Sequence, residues 1–408
     1  MTASSSPRLH GLDAIRAFAL LLGVVLHAAM SFIPGPWGIP IWITVDQQAD
    51  TAFSLAFYLP HIFRMTLFFL IAGFFARLAY EKRGALGLAI DRFKRITLPL
   101  LSFWLPVFVA VVAAIIWGAV KANGGEMPQD EQPPLTVDTF PLTHLWFLYL
   151  LTLFYPVAII LRALIRMVDR GDHLGGLMDR VIGLITYTPI GLISLALPLG
   201  LAFMLEPNWM MWFGIPTPDR GLVPNTVALT GYGFAFTVGW LLHRRRDILD
   251  RLKTWAPVYA LIAVGLTIWC VLQVGLAPSF TAGEDNLETW IYALSYAAAG
   301  WAWCFALLGL GLIIFARENT IVRYVADASY WIYILHLPIV MALQVWFSDM
   351  AIPVGLKFAL VNLITLAVCL ASYHVLVRNT VLGGWLNGRR YPGKSKTDGS
   401  TAQTSHAE

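Results

Sequence analysis

Long apolar stretches separated by short polar loops run along almost the whole chain. Ten such runs fall at residues 12–33, 52–79, 96–120, 144–165, 181–205, 222–242, 255–277, 290–316, 329–347 and 353–377. A spanning helix needs about 20 mostly apolar residues, and lipid offers no hydrogen-bond partner to an open backbone. The pattern therefore predicts an all-α membrane protein with about ten transmembrane helices and no soluble domain. It predicts a transmembrane domain over residues 1–391 and a polar, disordered cytoplasmic tail over residues 392–408.

Basic residues fall in alternate loops, which predicts the orientation. The loops after the second, fourth, sixth and eighth runs, and the chain end, are rich in Lys and Arg, whereas the intervening loops carry mostly Asp and Glu. Because Lys and Arg accumulate on the cytoplasmic side, we expect both termini in the cytoplasm of a bacterial inner membrane.

Composition supports the membrane assignment and narrows the partners. The chain is 58% hydrophobic and only 13% charged, whereas soluble domains carry about 25% charged residues. The net charge of +4 is spread over short loops, so we expect contact with membrane lipid and no nucleic-acid partner. Cys270, Cys304 and Cys369 lie within apolar runs without metal-ligand spacing, so we predict no metal site and no tightly bound cofactor.

Polar side chains within the predicted spans require a structural or functional explanation. Inserting a charged side chain at the centre of a membrane helix costs about 2.5–3.5 kcal/mol. His27 follows Arg16 by eleven residues, or about 16 Å at the helical rise. His61, Arg64 and His336 fall near the same depth, which predicts one buried polar cavity. A single histidine can equally serve an interhelical hydrogen bond, but the Arg64 guanidinium cannot deprotonate and must be paired or hydrated.

Two further polar residues have a simpler interpretation. His374 lies near the cytoplasmic end of the last run and is expected at the interface. Lys357 lies near the outer end of that run, where its long side chain is expected to snorkel towards water.

Short motifs recur in order along nearly the whole chain and resemble the membrane-bound acyltransferase-3 family. They are Gly-Leu-Asp13-x-x-Arg16, Arg16-x10-His27, Phe-Phe-Leu-Ile-Ala-Gly73-Phe, Arg92-x-x-Arg95, His144-Leu-Trp146-Phe-Leu and Ser-Tyr-Trp-Ile-Tyr333-Ile-Leu-His336-x-Pro. Three segments resemble a glucan-biosynthesis branch of that family: His61-Ile-Phe-Arg64-Met-x-x-Phe-Phe, the His144 motif, and Ser-x-x-Ile-Tyr333-x-x-His336. That branch is associated with succinylation of osmoregulated periplasmic glucans.

The resemblance implies transfer of an acyl group from cytoplasmic acyl-CoA, as co-substrate, to a hydroxyl of a periplasmic or cell-envelope glycan. Arg92 and Arg95, with Arg16, would then lie near the donor phosphates, since guanidinium forks bind phosphate bidentately. Positive charge in a cytoplasmic loop is also expected from topology alone. His27 would be a general base or would carry the acyl group itself, and both remain open.

Other motif positions receive roles from the same resemblance. Arg64, His61 or His336 would stabilise the thioester oxyanion. The predicted substrate-binding residues are Asp13, His144, Trp146 and Tyr333.

A different class of protein also fits a midplane polar site. An exporter or flippase would bind a sugar or a lipid-linked substrate there, but transporters commonly contain paired repeats, and the sequence shows none. Within the enzyme hypothesis, succinyl transfer to a periplasmic glucan is the first choice and acetyl transfer to a surface polysaccharide the second.

Overall fold

The computed structural model describes residues 10–35, 42–127 and 134–387. Its helices are α1 (His10–Ala29), α2 (Phe53–Arg92), α3 (Leu98–Ala122), α4 (Trp146–Val168), α5 (His173–Ile185), α6 (Leu192–Met204), α7 (Thr226–Arg244), α8 (Asp247–Val274), α9 (Leu287–Ile314), α10 (Thr320–Phe347), α11 (Val354–Ser372) and α12 (Val381–Asn387). Within those ranges the only extended pairings are two isolated bridges, Pro141 with Arg220 and Met210 with Ala282. The all-α class predicted from the apolar runs is confirmed. The predicted tail, residues 392–408, lies outside the described residues.

Seven helical stretches of the described chain are long and apolar enough to cross a membrane. The number becomes eight if the pair His173–Ile185 and Pro189–Met204, bent by 113°, is one span. The count differs from ten partly because two predicted runs lie in one stretch of 70 residues, Phe53–Ala122. The predicted run at 222–242 forms α7, which is not among the seven. The protein is therefore multi-pass, while ten spans and cytoplasmic termini stay predictions.

The stretch from α2 to α3 is not one straight rod. Gly84 has φ 71° and ψ −177°, a backbone conformation that a residue with a Cβ rarely adopts. A π-helical turn at Phe93–Thr97 then leads into α3. The two predicted runs in this stretch thus lie on either side of a break. The basic residues Arg92 and Arg95 lie at the end of α2 and within the π-helical turn, respectively.

Helix α1 lies at the centre of the bundle, between two hydrophobic cores. Its Leu12, Ile15 and Leu26 belong to one core, which is built mainly with α2, α6, α7, α8 and α9. Its Leu20 and Val24 belong to the other, built mainly with α3, α10 and α11. Helix α1 thus packs against a core on each side, and its His27 lines a cavity between the helices.

The structure corrects one prediction for a charged residue in a span. Lys357 does not snorkel: its side chain is 1% exposed, and its Nζ lies 2.6 Å from Oδ2 of Asp46, which is 2% exposed. The segment after residue 41 folds back over the end of α1 and the start of α11 and brings a carboxylate to the lysine. His374 is exposed near the end of the last span, and its place at the membrane interface stays a prediction.

Candidate active site

Three histidines from three parts of the chain meet beside one cavity. The ring centroids of His27 and His336 are 5.3 Å apart, and those of His336 and His144 are 5.0 Å apart. His27 lies two residues before the end of α1, His336 lies in the middle of α10, and His144 lies in the short turn that precedes α4. The sequence grouped His27 with His336 by depth, and the structure adds His144.

The hydrogen bonds of two of these histidines determine which ring nitrogen carries the proton. His336 Nδ1 lies 2.8 Å from the Tyr333 carbonyl oxygen and 3.1 Å from that of Ile332. His144 Nε2 lies 2.9 Å from the Tyr333 oxygen. Because a carbonyl can only accept, each of these nitrogens must donate.

The opposite nitrogens are therefore free to act as bases. His336 Nε2, His144 Nδ1 and also His27 Nδ1 are buried and have no hydrogen-bond partner within the described residues. Orphaned buried polar atoms are uncommon in native proteins and call for a functional explanation. Three such nitrogens beside one cavity suit a site that receives a proton from a substrate.

Arg64 brings a positive charge close to His27. Its Nη1 occupies the space beside Gly23, where a Cβ would lie only 2.0 Å away. Gly23 precedes His27 by one helical turn, or about 6 Å along the axis. Arg64 forms no salt bridge with a carboxylate of the described chain, and its Nε has no hydrogen-bond partner there. An unpaired guanidinium in this position is available for a developing negative charge.

His61 lines the same cavity but has other partners. Its ring stacks on Phe57, with centroids 5.1 Å apart and an interplanar angle of 15°. It also faces the backbone carbonyls of Phe213 and Ile215. His61 therefore has packing partners at the cavity wall, and its oxyanion role stays a prediction.

The cavity has a volume of about 2000 Å³ and passes the three histidines and Arg64. At one end it is lined by five basic and two acidic side chains, namely Arg16, Lys82, Arg83, Arg92, Arg95, Asp13 and Asp91. At the other end it is lined by polar residues of the loops before α4 and before α7, including Asp138, Asn208, Asp219 and Asn225. The charge pattern of the loops predicts that the basic end is cytoplasmic.

The two arginines of the Arg-x-x-Arg motif are partly engaged with the protein itself. Asp91 Oδ2 lies 3.7 Å from Arg92 Nε, and Asp91 Oδ1 lies 3.2 Å from Arg95 Nε. The Arg92 guanidinium also lies over the Tyr155 ring, 5.0 Å from its centroid. Asp13 and Arg16 are 3.8 Å apart at this same basic end of the cavity, which we call the basic mouth. The mouth therefore keeps an excess of positive charge while one carboxylate holds the motif in place.

Trp146 and Tyr333, the remaining predicted substrate-binding residues, line the cavity but have clear packing partners. The Trp146 indole stacks on Tyr232, with centroids 5.5 Å apart. The Tyr333 hydroxyl donates to the carbonyl oxygen of His144 at 2.5 Å. Tyr333 thereby ties α10 to the turn that carries His144, and both residues shape the cavity wall.

Sequence reasoning missed two residues beside His27. The Trp42 indole stacks on the His27 ring, with centroids 6.0 Å apart and an interplanar angle of 10°. Gln344 Nε2 donates to the His27 carbonyl oxygen at 2.9 Å. Gln344 could have been found as an amide in an apolar helix, but nothing in the sequence distinguishes Trp42 from the other tryptophans. Among the described residues, no group of three or more His, Cys, Asp or Glu side chains is arranged to hold a metal ion.

These features define a multi-pass, all-helical membrane protein with a polar cavity at its centre. The chain belongs to the acyltransferase-3 family, whose profile, described as an acyltransferase domain, matches residues 9–374. This confirms the family predicted from the motifs.

The chain is also similar to several named proteins. The chain is 20% identical over 402 residues to "Glucans biosynthesis protein C" of Escherichia coli O17:K52:H18, covering 95% of this chain and 97% of the relative. The proteins of the same name from Shigella dysenteriae serotype 1 and from Escherichia coli K12 match to the same extent. No solved structure matches the chain significantly.

Proposed function

We propose that this protein, in a bacterial inner membrane, transfers an acyl group from cytoplasmic acyl-CoA to a hydroxyl of a periplasmic or cell-envelope glycan. The observation that carries the proposal is a single cavity that joins a basic mouth to a polar opposite end and passes His27 and Arg64 between them. A polyanionic donor suits the basic mouth, and a hydroxyl-rich acceptor suits the polar end. Membership of an acyltransferase family supports the reaction class.

The donor phosphates bind at the mouth through Arg92 and Arg95, with Arg16 beside them. Guanidinium groups bind phosphate oxygens through paired hydrogen bonds. Phosphate binding would draw the two motif arginines away from Asp91, so this carboxylate keeps them oriented until the donor arrives. The pantetheine arm then extends along α1 towards His27.

His27 takes the proton of the acceptor hydroxyl as the hydroxyl oxygen attacks the thioester carbonyl. The new C–O bond forms and the C–S bond breaks, and the proton passes to the thiolate of CoA. During the attack the carbonyl oxygen becomes negative, and the Arg64 guanidinium stabilises it. His144 and His336, each with a free ring nitrogen, extend the polar surface on which the hydroxyl is oriented.

The name of the relatives supports a glucan as the acceptor. Succinyl-CoA is the first donor to test and acetyl-CoA the second. Each would deliver its acyl group to a sugar hydroxyl by the same steps.

The experiment uses purified full-length protein in proteoliposomes, with acyl-CoA on one side and a linear glucan on the other. Mass spectrometry of the glucan should show the added acyl group with wild-type protein. His27→Gln should lower the rate at least about a hundredfold, because a general base contributes about 10² to 10⁴. His374→Gln, at an exposed histidine outside the cavity, is the matched control and should be active.

Two outcomes would contradict the proposal. Acyl transfer by His27→Gln at the wild-type rate would show that His27 is not the general base. Movement of glucan across the bilayer without any acylation would favour the exporter instead. Addition of labelled acyl-CoA without glucan, followed by rapid denaturation at neutral pH, separates the two chemistries of His27, since only an acyl-histidine leaves label on the protein.

A further inference from the structure

Helix α1 changes conformation two residues after His27. The α-helix ends at Ala29 and continues as a 3₁₀ turn at Met30–Phe32. The last carbonyls of an α-helix have no intrahelical donor and need partners from elsewhere. His27 and Ala28 carry two of these carbonyls.

Gln344, on α10, supplies the missing donor. Its Nε2 lies 2.9 Å from the His27 carbonyl oxygen and 3.1 Å from that of Ala28. Its side-chain oxygen accepts from the Trp42 indole nitrogen at 3.1 Å. Since carbonyl oxygens can only accept and an indole N–H can only donate, these partners fix the orientation of the amide. Gln344 is 2% exposed.

Trp42 covers the face of the His27 ring. The two rings are almost parallel, with an interplanar angle of 10° and centroids 6.0 Å apart. The indole N–H is shared between Gln344 and the hydroxyl of Ser31, also at 3.1 Å. The backbone of His27 and its imidazole are thus both held by one hydrogen-bonded pair.

The segment that carries Trp42 is itself anchored to the 3₁₀ turn after α1 and to the first residues of α11. Asp46 pairs with Lys357 at 2.6 Å, and its backbone N–H donates to the Ser31 carbonyl at 2.8 Å. Gln48 accepts from the backbone N–H of Val354, at the start of α11, at 3.1 Å. Breaking a buried pair leaves an uncompensated charge, so such a pair holds a segment firmly.

We infer that Gln344 and Trp42 are positioning residues that hold the His27 backbone and ring in the geometry needed for proton transfer. The inference rests on the proposed function of His27. A displacement of about 1 Å at a reacting group can cost about a hundredfold in rate. Loss of the pair should therefore lower kcat while leaving donor binding, at the distant basic mouth, unchanged.

The test compares Gln344→Met, Trp42→Leu and Trp42→Phe in proteoliposomes. Met fills the space of Gln344 but cannot donate to the carbonyls, and Leu removes the stacked ring. Both should lower kcat about tenfold to a hundredfold with an unchanged KM for acyl-CoA. Phe keeps an aromatic face over His27 and should recover most of the activity.

The matched control is Ser372→Ala. It breaks an indole hydrogen bond of 3.0 Å between Trp331, also on α10, and Ser372, and neither residue lines the cavity. This variant should have wild-type kcat and KM. A loss as large as that of Gln344→Met would mean that any indole hydrogen bond to α10 matters, and would overturn the inference.

A second readout does not depend on activity. Diethyl pyrocarbonate modifies accessible, mobile imidazoles, and mass spectrometry gives the rate at His27. Gln344→Met and Trp42→Leu should raise this rate severalfold over wild type. Wild-type kcat and wild-type His27 reactivity in both variants would overturn the inference. If His27→Gln is fully active, the proposed function fails, but the reactivity of His27 in the other variants still decides whether the pair holds the ring.

Discussion

Gly23→Ala is a minimal change that should displace the Arg64 guanidinium from its position beside α1 without replacing the arginine. In the wild-type protein the Gly23 backbone leaves room for the Arg64 guanidinium. An added Cβ would lie 2.0 Å from Nη1 and 3.3 Å from Cζ, far inside van der Waals contact. The group that must move is the end of a flexible side chain rather than backbone, so we expect the guanidinium to shift into the cavity and α1 to remain in place.

Two effects of the substitution have opposite signs. Alanine is favoured over glycine inside a helix by about 1 kcal/mol, so the fold should lose little or no stability. A preorganised donor to an oxyanion contributes about 10² to 10³ in kcat, or about 2.7–4 kcal/mol. We therefore expect a stable protein whose acyl-transfer rate falls about a hundredfold or more.

The assay measures kcat for glucan acylation and the thermal unfolding of detergent-solubilised protein in parallel. Gly265→Ala is the matched control, because no atom lies within 4 Å of a Cβ at that position on α8, and it should keep wild-type kcat. Arg64→Ala and the double variant Gly23→Ala/Arg64→Ala complete a cycle. If the glycine acts only through the arginine, the double variant should be no slower than Arg64→Ala alone.

Two results would refute this reasoning. Wild-type kcat in Gly23→Ala would mean that the guanidinium is not needed beside α1. Fully additive losses in the double variant would mean that Gly23 acts through some other contact.

The other predictions concern the donor site, the buried ion pair and the topology. Arg92→Ala or Arg95→Ala should weaken acyl-CoA binding about tenfold to a hundredfold, the loss expected for a charge-assisted hydrogen bond. If calorimetric titration finds unchanged affinity, these arginines do not bind the donor and only mark the cytoplasmic side. Lys357→Met should lower the free energy of unfolding by about 3–5 kcal/mol, because it leaves Asp46 charged and unpaired; adding Asp46→Asn should restore most of the loss, and no recovery in thermal unfolding would argue against the pair. A reporter active only in the periplasm should be silent when fused after Lys396, and a strong signal would contradict cytoplasmic termini.

Much of the site could be predicted from the sequence because a membrane makes polar residues conspicuous. His27, Arg64 and His336 stood out as groups that a lipid environment does not tolerate without a partner or water. The helical rise alone put them near one depth, and the structure brings them to one cavity. The ordered motifs added His144 and Tyr333, which the structure ties together through the Tyr333 hydroxyl and the His144 carbonyl.

The number of spans was harder to obtain from the apolar runs. A run reports length and hydropathy, but whether two runs form separate helices depends on backbone breaks such as Gly84 and on the bend between α5 and the helical residues that follow. The environment of Lys357 likewise could not be predicted from the sequence. The position of this lysine near a helix end is compatible with snorkelling, and only the return of the segment carrying Asp46 makes it a buried ion pair.

The sequence by itself therefore determined the solvent in which this protein folds, its helical class, its family and the polar residues that must face inwards. These follow from local composition and periodicity, because lipid penalises each unpaired polar group wherever it occurs along the chain. Only the tertiary structure decided which groups are neighbours: Arg64 against Gly23, Gln344 on the carbonyls of His27 and Ala28, and Trp42 over the imidazole. These contacts join residues up to 317 positions apart, and their geometry depends on how the helices rotate and pack, which no local pattern specifies.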